Sequence, residues 1–156
     1  EGGLFVGKED ERKSILRLIA EYNPYLLDVE FNTIKRDTKL RTYLNNTKCK
    51  LLISWHDFKR TPNESQLKLR YNKMKKFSKM VKIVTVAKNV SDASRLLSLY
   101  SVKSESKIIA FCMGEQGKFS RILCLHLGSP FTYVSLGKAI APGQFSVDEI
   151  LSLQSR

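Results

Sequence analysis

The stretch "MVKIVTVA", residues 80–87, sets one lysine among apolar and β-branched neighbours. Without Lys82 it would read as a buried strand, apolar on both faces. An ammonium group placed there loses hydration, and leaving it unpaired costs on the order of several kcal/mol. Lys82 therefore either lies on a wet face or is kept for the chemistry of its amine.

Working outward from this strand, the chain alternates strand-like and helical segments. "ERKSILRLIAEY" (11–22) carries Ile15, Leu18 and Ile19 at helical spacing. "YLLDVEF" (25–31) reads as a strand, "RDTKLRTYLNN" (36–46) as a helix, and "KLLISWHDF" (50–58) as a strand. A helix is expected over 63–77, opened by Pro62 and Asn63, and another over 91–101 with Ser91 as its N-cap. "KIIAFCMG" (107–114) reads as a strand and 118–127 as a helix. "FTYVSL" (131–136) reads as a fifth, short strand. The last helix covers 146–154, with Ser146 as cap and Glu149 completing a capping box. Alternation of this kind implies parallel strands joined by right-handed helical crossovers.

No glycine-rich phosphate loop follows any strand, since the glycines of "EGG" (1–3) and "GEQG" (114–117) lack the required spacing. The pattern therefore favours a (β/α)8 TIM barrel over a nucleotide-binding sheet. A full barrel typically takes ~250 residues, whereas this chain has 156. The expectation is a single domain, residues 1–156, holding roughly the last five βα units, the C-terminal two-thirds of a barrel, with the N-terminal strands missing.

Composition narrows the function. The apolar fraction of 42% supports a core, and no apolar run is long enough to span a membrane. No secretory leader is visible. Three cysteines without CxxC spacing argue against a disulfide framework or a zinc site and suggest the cytoplasm. The formal charge of +12 could attract nucleic acid. The cations are dispersed, however, and "KMKKFSK" (73–79) reads as a solvated helix face, so nucleic acid is not the expected partner.

Polar residues gather near the C-terminal ends of the strands, which converge on one mouth in a parallel barrel. They include Glu1 at the end of a missing strand, Asp28 and Glu30 in the first visible strand, His56 and Asp57 in the second, and Lys82 in the third. Met113 closes the fourth, Arg121 follows it, and Gln144 lies in "APGQ". A desolvated lysine can attack a ketone and form a Schiff base, whose iminium acidifies the adjacent carbon. A histidine can move the proton and a carboxylate can orient the imidazole. An arginine fork can grip a substrate carboxylate. Taken singly, each residue has an ordinary reading. His56 fits a core histidine, Arg121 a surface cation, His126 a structural residue in an apolar helix, and Trp55 and Met113 packing. Asp28 and Asp57 fit groups that fix backbone and neighbouring side chains.

Together, "EGG", "YLLDVEF", "SWHDFKRTP", "VKIVTVA", "FCMGEQGKFSRI", "GSPFTY" and "APGQFSVDEI" resemble the type I 3-dehydroquinate dehydratases, in the order and near the spacing of that family. The resemblance covers essentially the whole chain and is nearest the archaeal branch. It implies a (β/α)8 barrel lyase that dehydrates 3-dehydroquinate to 3-dehydroshikimate in the shikimate pathway of aromatic amino-acid biosynthesis. It also implies Lys82 as the Schiff-base lysine, His56 as general acid and base, and Glu1 as the partner of His56. Arg121, Gln144, Met113 and Tyr133 would bind substrate. No metal or organic cofactor is implied, because the lysine supplies the electron sink. Family members are often dimers, so a homodimer is the implied assembly.

Two departures stand out. The family's N-terminal strands, which bring a glutamate and an arginine to the substrate, are absent. Ile140 stands where the family usually has serine or threonine, and losing one such hydrogen bond costs ~0.5–1.5 kcal/mol, up to ~tenfold in affinity. Two other readings accompany the leading one. One is a different Schiff-base barrel lyase or aldolase, disfavoured by the lack of a phosphate loop. The other is a non-catalytic fragment that binds a partner or nucleic acid through its basic surface.

Overall fold

A computed structural model describes residues 5–137 and 139–154. Its centre is a four-stranded sheet formed by β1 (Leu27–Glu30), β2 (Leu51–Asp57), β3 (Met80–Val86) and β4 (Lys107–Met113). The strands lie in chain order and every pair is parallel. Helices α1 (Glu9–Glu21), α2 (Phe31–Arg36), α3 (Thr38–Asn45), α4 (Glu64–Met74), α5 (Val90–Leu97), α6 (Ser120–His126) and α7 (Val147–Gln154) precede, connect and follow the strands, with 3-10 turns at Ser98–Ser101 and Glu115–Gly117.

Side chains alternate across the sheet, as a two-residue period requires. Val29, Ile53, Trp55, Val81, Ile83, Ala110 and Cys112 join the larger core with Leu67, Tyr71, Met74, Ala93 and Leu96 of the helices. The opposite face carries Leu52, Val84, Ile109, Phe111 and Met113, packed with Leu26, Phe131 and Tyr133. Lys82 belongs to this second face. In register it sits between Ser54 of β2 and Ile109 of β4. The sheet is thus covered by helices on one side and presents a mixed apolar and ionic surface on the other.

Several expectations change. Four strands are present among the described residues, not five. Residues 131–136 form no ladder with β4. Ser135 makes an isolated bridge to Ser146, and its backbone bonds run to Phe145 and Val147. Phe131 and Tyr133 lie against the inner face of the sheet, their rings in contact with each other and that of Tyr133 with Phe111. Aromatic packing thus places this segment over the sheet, while its hydrogen bonds go to the chain that leads into α7.

The helix expected over 36–46 begins earlier and breaks at Asp37, whose carboxylate caps α3 by accepting from the Leu40 amide at 2.8 Å. The cap of α5 is Asn89 rather than Ser91, and its side chain accepts from the Asp92 amide at 2.9 Å. The Ser146–Glu149 capping box forms reciprocally at 2.7 and 3.1 Å. The stripe of α1 points outward. Ile15, Leu18 and Ile19 are 40–58% exposed, and Ala20 is the helix's buried residue. His126, expected to be structural within an apolar helix, ends α6 on the exposed surface.

Candidate functional site

β2, β3 and β4 deliver the site through their shared inner face. His56 lies one position beyond Trp55, so Trp55 packs among helices while His56 turns to the other side. Register pairs His56 with Val84 and Val84 with Phe111, placing the imidazole one pleat beyond Lys82 towards the C-terminal edge. A cavity of about 530 Å³ opens there. His56, Lys82, Met113, Arg121, Tyr133 and Gln144, all expected in the site, line it together. Glu1 lies outside the described residues.

Lys82 is 8% exposed and does not stand alone. Its Nζ donates to Asp28 Oδ2 at 2.5 Å and lies 4.8 Å from the centroid of the Tyr133 ring. The wet-face reading of the opening stretch therefore fails. The ammonium is buried, with one carboxylate as its counter-ion and an aromatic face beside it.

His56 stacks on Phe58, with ring centroids 5.7 Å apart and planes within 11°. Its Nδ1 is buried and has no hydrogen-bond partner among the described residues. Burial, followed by the positive charge of Lys82, pushes its pKa down to about 4, with Asp28 opposing the shift. At neutral pH the imidazole is uncharged and able to accept a proton.

Arg121 reaches the cavity because α6 starts close against the end of β4. Ser120 Oγ donates to Gly117 O at 2.5 Å and accepts from the Cys112 amide at 2.8 Å. Gly117 is needed for this approach, since a Cβ there would lie 2.5 Å from Cys112 Cβ. The guanidinium is packed 4.5 Å over the Phe111 ring. Arg121 is 2% exposed. Its Nε has no partner among the described residues, and Nη2 makes only a long 3.5 Å contact to Pro142 O there. Burial lowers its pKa from the ordinary value. A desolvated cation of this kind can pair with an anion.

The turn Ala141–Gln144 closes one wall. Gly143 adopts φ +70°, and a Cβ there would stand 2.7 Å from Gly114 O. Both facts call for glycine. Pro142 O accepts from the Gly114 amide at 3.2 Å, which ties the turn to the end of β4. Gln144, expected to bind substrate, lines this wall. Its Oε1 accepts from the amides of Ile140 and Ala141, at 3.0 and 3.2 Å. Ile140 is 82% exposed at the rim. Asp57 accepts from the Lys59 and Arg60 amides, the backbone-fixing role expected of it.

Sequence reasoning left Phe58 and Phe111 unassigned and gave Asp28 no chemical role. Alternation from His56 would have found Phe58 two residues on, and alternation back from Met113 would have found Phe111. The Asp28–Lys82 pair spans 54 residues and has no local signal. No group of three or more potential metal ligands assembles among the described residues, and none of their helices is long and apolar enough to cross a membrane.

The chain is similar to known proteins over nearly its whole length. A family model described as Type I 3-dehydroquinase matches residues 1–155. A 3-dehydroquinate dehydratase of Dehalococcoides mccartyi is 36% identical over 156 residues, covering 98% of this chain and 69% of the relative. One from Pyrobaculum aerophilum is 39% identical over 150 residues, covering 95% of this chain and 48% of the relative. Among solved structures, the 3-dehydroquinate dehydratase of Aquifex aeolicus superposes with a TM-score of 0.81 at 30% identity, over 99% of this chain and 68% of that one. The type I enzyme of Clostridium difficile gives 0.85 at 25% identity, over 99% of this chain and 64% of that one. The chain thus spans about half to two-thirds of the length of the relatives it matches, and by sequence and fold it belongs to the type I 3-dehydroquinase family.

Proposed function

We propose that this chain carries the reacting centre of a 3-dehydroquinate dehydratase. The observation that carries the reading is one cavity holding a buried lysine, an uncharged histidine and a buried arginine that lacks a carboxylate partner among the described residues. These three groups answer a ligand with a ketone, an acidic C–H beside it and a carboxylate. Arg121 takes the carboxylate. Lys82 attacks the ketone carbon and forms a protonated iminium with loss of water. Neutral His56 removes the proton from the adjacent carbon, and the electrons flow towards the iminium. The resulting imidazolium gives a proton to the hydroxyl leaving from the next carbon, and hydrolysis of the imine frees 3-dehydroshikimate and Lys82. Glu1 is the proposed partner of His56, because a carboxylate suits the Nδ1 that is otherwise unpaired.

The four-strand sheet is, in this reading, an arc of a (β/α)8 barrel that forms a single domain. The exposed stripe Ile15, Leu18, Ile19 and Tyr22 supports this, because a further strand and helix beside β1 would bury it. The three free, buried cysteines fit a reducing cytosol.

The test is borohydride trapping with 3-dehydroquinate followed by peptide mass spectrometry. A reduced adduct on Lys82 is expected, and none in Lys82→Met. Label on another lysine, or none, would overturn the assignment.

A further inference from the structure

We propose that Asp28 is itself a catalytic residue, taking a proton from the Lys82 nitrogen during attack on the ketone and then serving as counter-ion to the iminium. This rests on the Schiff-base reading above and assigns a second group to its first step.

The geometry is specific. Asp28 lies in β1 and Lys82 in β3, two strands apart, yet their charged atoms are 2.5 Å apart. Ser54 of β2 stands next to Lys82 in register and is 1% exposed. A small side chain at that place leaves room for the lysine stem to lean across β2. The groups around Nζ are Asp28 from β1, His56 from β2 and Tyr133 from the segment after α6, and Arg121 of α6 lines the same cavity. Glu30, also in β1, is engaged by Arg12 at 3.3 Å. Among the described residues, Asp28 is therefore the carboxylate that faces the reacting nitrogen.

The charge and atom balance fits one such group. An ammonium and a ketone become a protonated iminium and one water, and the nitrogen gives up two protons in the process. Attack requires a free amine, so one proton must leave nitrogen first, and the carboxylate at 2.5 Å is placed to accept it. The second leaves nitrogen as the carbinolamine forms. Both end on the departing oxygen, one of them returned by Asp28. The site then holds one cation against one carboxylate, as it did at the start. Tyr133 presents its ring face to that cation in both states. Without Asp28, the iminium would sit buried with no counter-charge of its own, since the substrate carboxylate is taken by Arg121, a costly arrangement.

Asp28→Asn keeps the shape and removes the charge, and Asp28→Glu restores the charge on a longer stem. The rate of borohydride labelling of Lys82 with 3-dehydroquinate is followed from neutral to alkaline pH, with thermal unfolding as a check on folding. Relative to the unaltered protein, Asp28→Asn should label about tenfold more slowly or worse at neutral pH. It should recover as rising pH supplies hydroxide to take the proton. Asp28→Glu should retain most of the rate. Labelling of Asp28→Asn at the full rate at neutral pH would overturn the proposal. So would an equal deficit at every pH, the mark of a structural role, or an Asp28→Glu rate as low as that of Asp28→Asn. If the unaltered protein forms no adduct, the Schiff-base reading fails first and this one goes with it.

Discussion

Replacing Arg121 with methionine separates a binding residue from a structural one. The side chain is 2% exposed and has no carboxylate partner among the described residues, so in the free protein it is a desolvated cation at a net cost. Exchanging a buried ionic group for an apolar one of similar volume is often neutral or stabilising by ~1–4 kcal/mol. Loss of the stack over Phe111 subtracts ~0.5–2 kcal/mol. The balance is a fold unchanged or more stable by up to about 2 kcal/mol, with each kcal/mol worth roughly 2–4 °C in Tm for a chain of this size. Ligand binding should move the other way. A carboxylate about 3 Å from the guanidinium gains a gross ~5 kcal/mol at an effective dielectric of ~20. After both groups are desolvated, about 2–3 kcal/mol survives, or roughly 30- to 150-fold in Kd. Thermal unfolding and calorimetric titration with 3-dehydroquinate read the two effects on the same samples. A variant that unfolds more readily by over ~2 kcal/mol yet binds as before would show that Arg121 holds the fold, and the reasoning would fail.

Other outcomes follow from the same geometry. Below pH 6.5 the unfolded chain protonates His56, while the folded chain does so only near its pKa of about 4. Stability should therefore fall as pH drops through that window, by about 3 kcal/mol for this group, and His56→Gln should flatten the slope in urea midpoints. Gly143→Ala forces a side chain into a φ of +70° and against Gly114 O, so it should cost about 1–3 kcal/mol or displace the turn. Raised Kd for 3-dehydroquinate would report the displacement, and unchanged stability and affinity together would contradict the crowding. Phe58→Ala removes the ring stacked on His56 and admits water, so the imidazole pKa should rise from about 4 towards its ordinary value, read by NMR titration.

Much of the site was legible because it rests on strand periodicity. Lys82 in an apolar strand, His56 at a strand end and Arg121 just after one are local patterns, and the parallel sheet brings them to one face. The fifth strand was misread because "FTYVSL" has strand composition, whereas its place is decided by where Phe131 and Tyr133 pack. Ile15, Leu18 and Ile19 show helical spacing without saying what the stripe meets, and here they face outward. The Asn89 cap won over Ser91 because a side-chain oxygen two residues earlier reaches the Asp92 amide first. The Asp28–Lys82 pair depends on strand order and on a small residue between the two, neither of which a linear reading supplies.

The carbonyl of Gln144 is already engaged by the amides of Ile140 and Ala141. A ligand meeting this residue therefore finds only its –NH₂ and must offer a lone pair, not a proton. A glutamate at 144 could still fasten the turn through its oxygens. It would bring no donor, and it would add a negative charge to a chamber whose arginine is the proposed seat of an anionic guest.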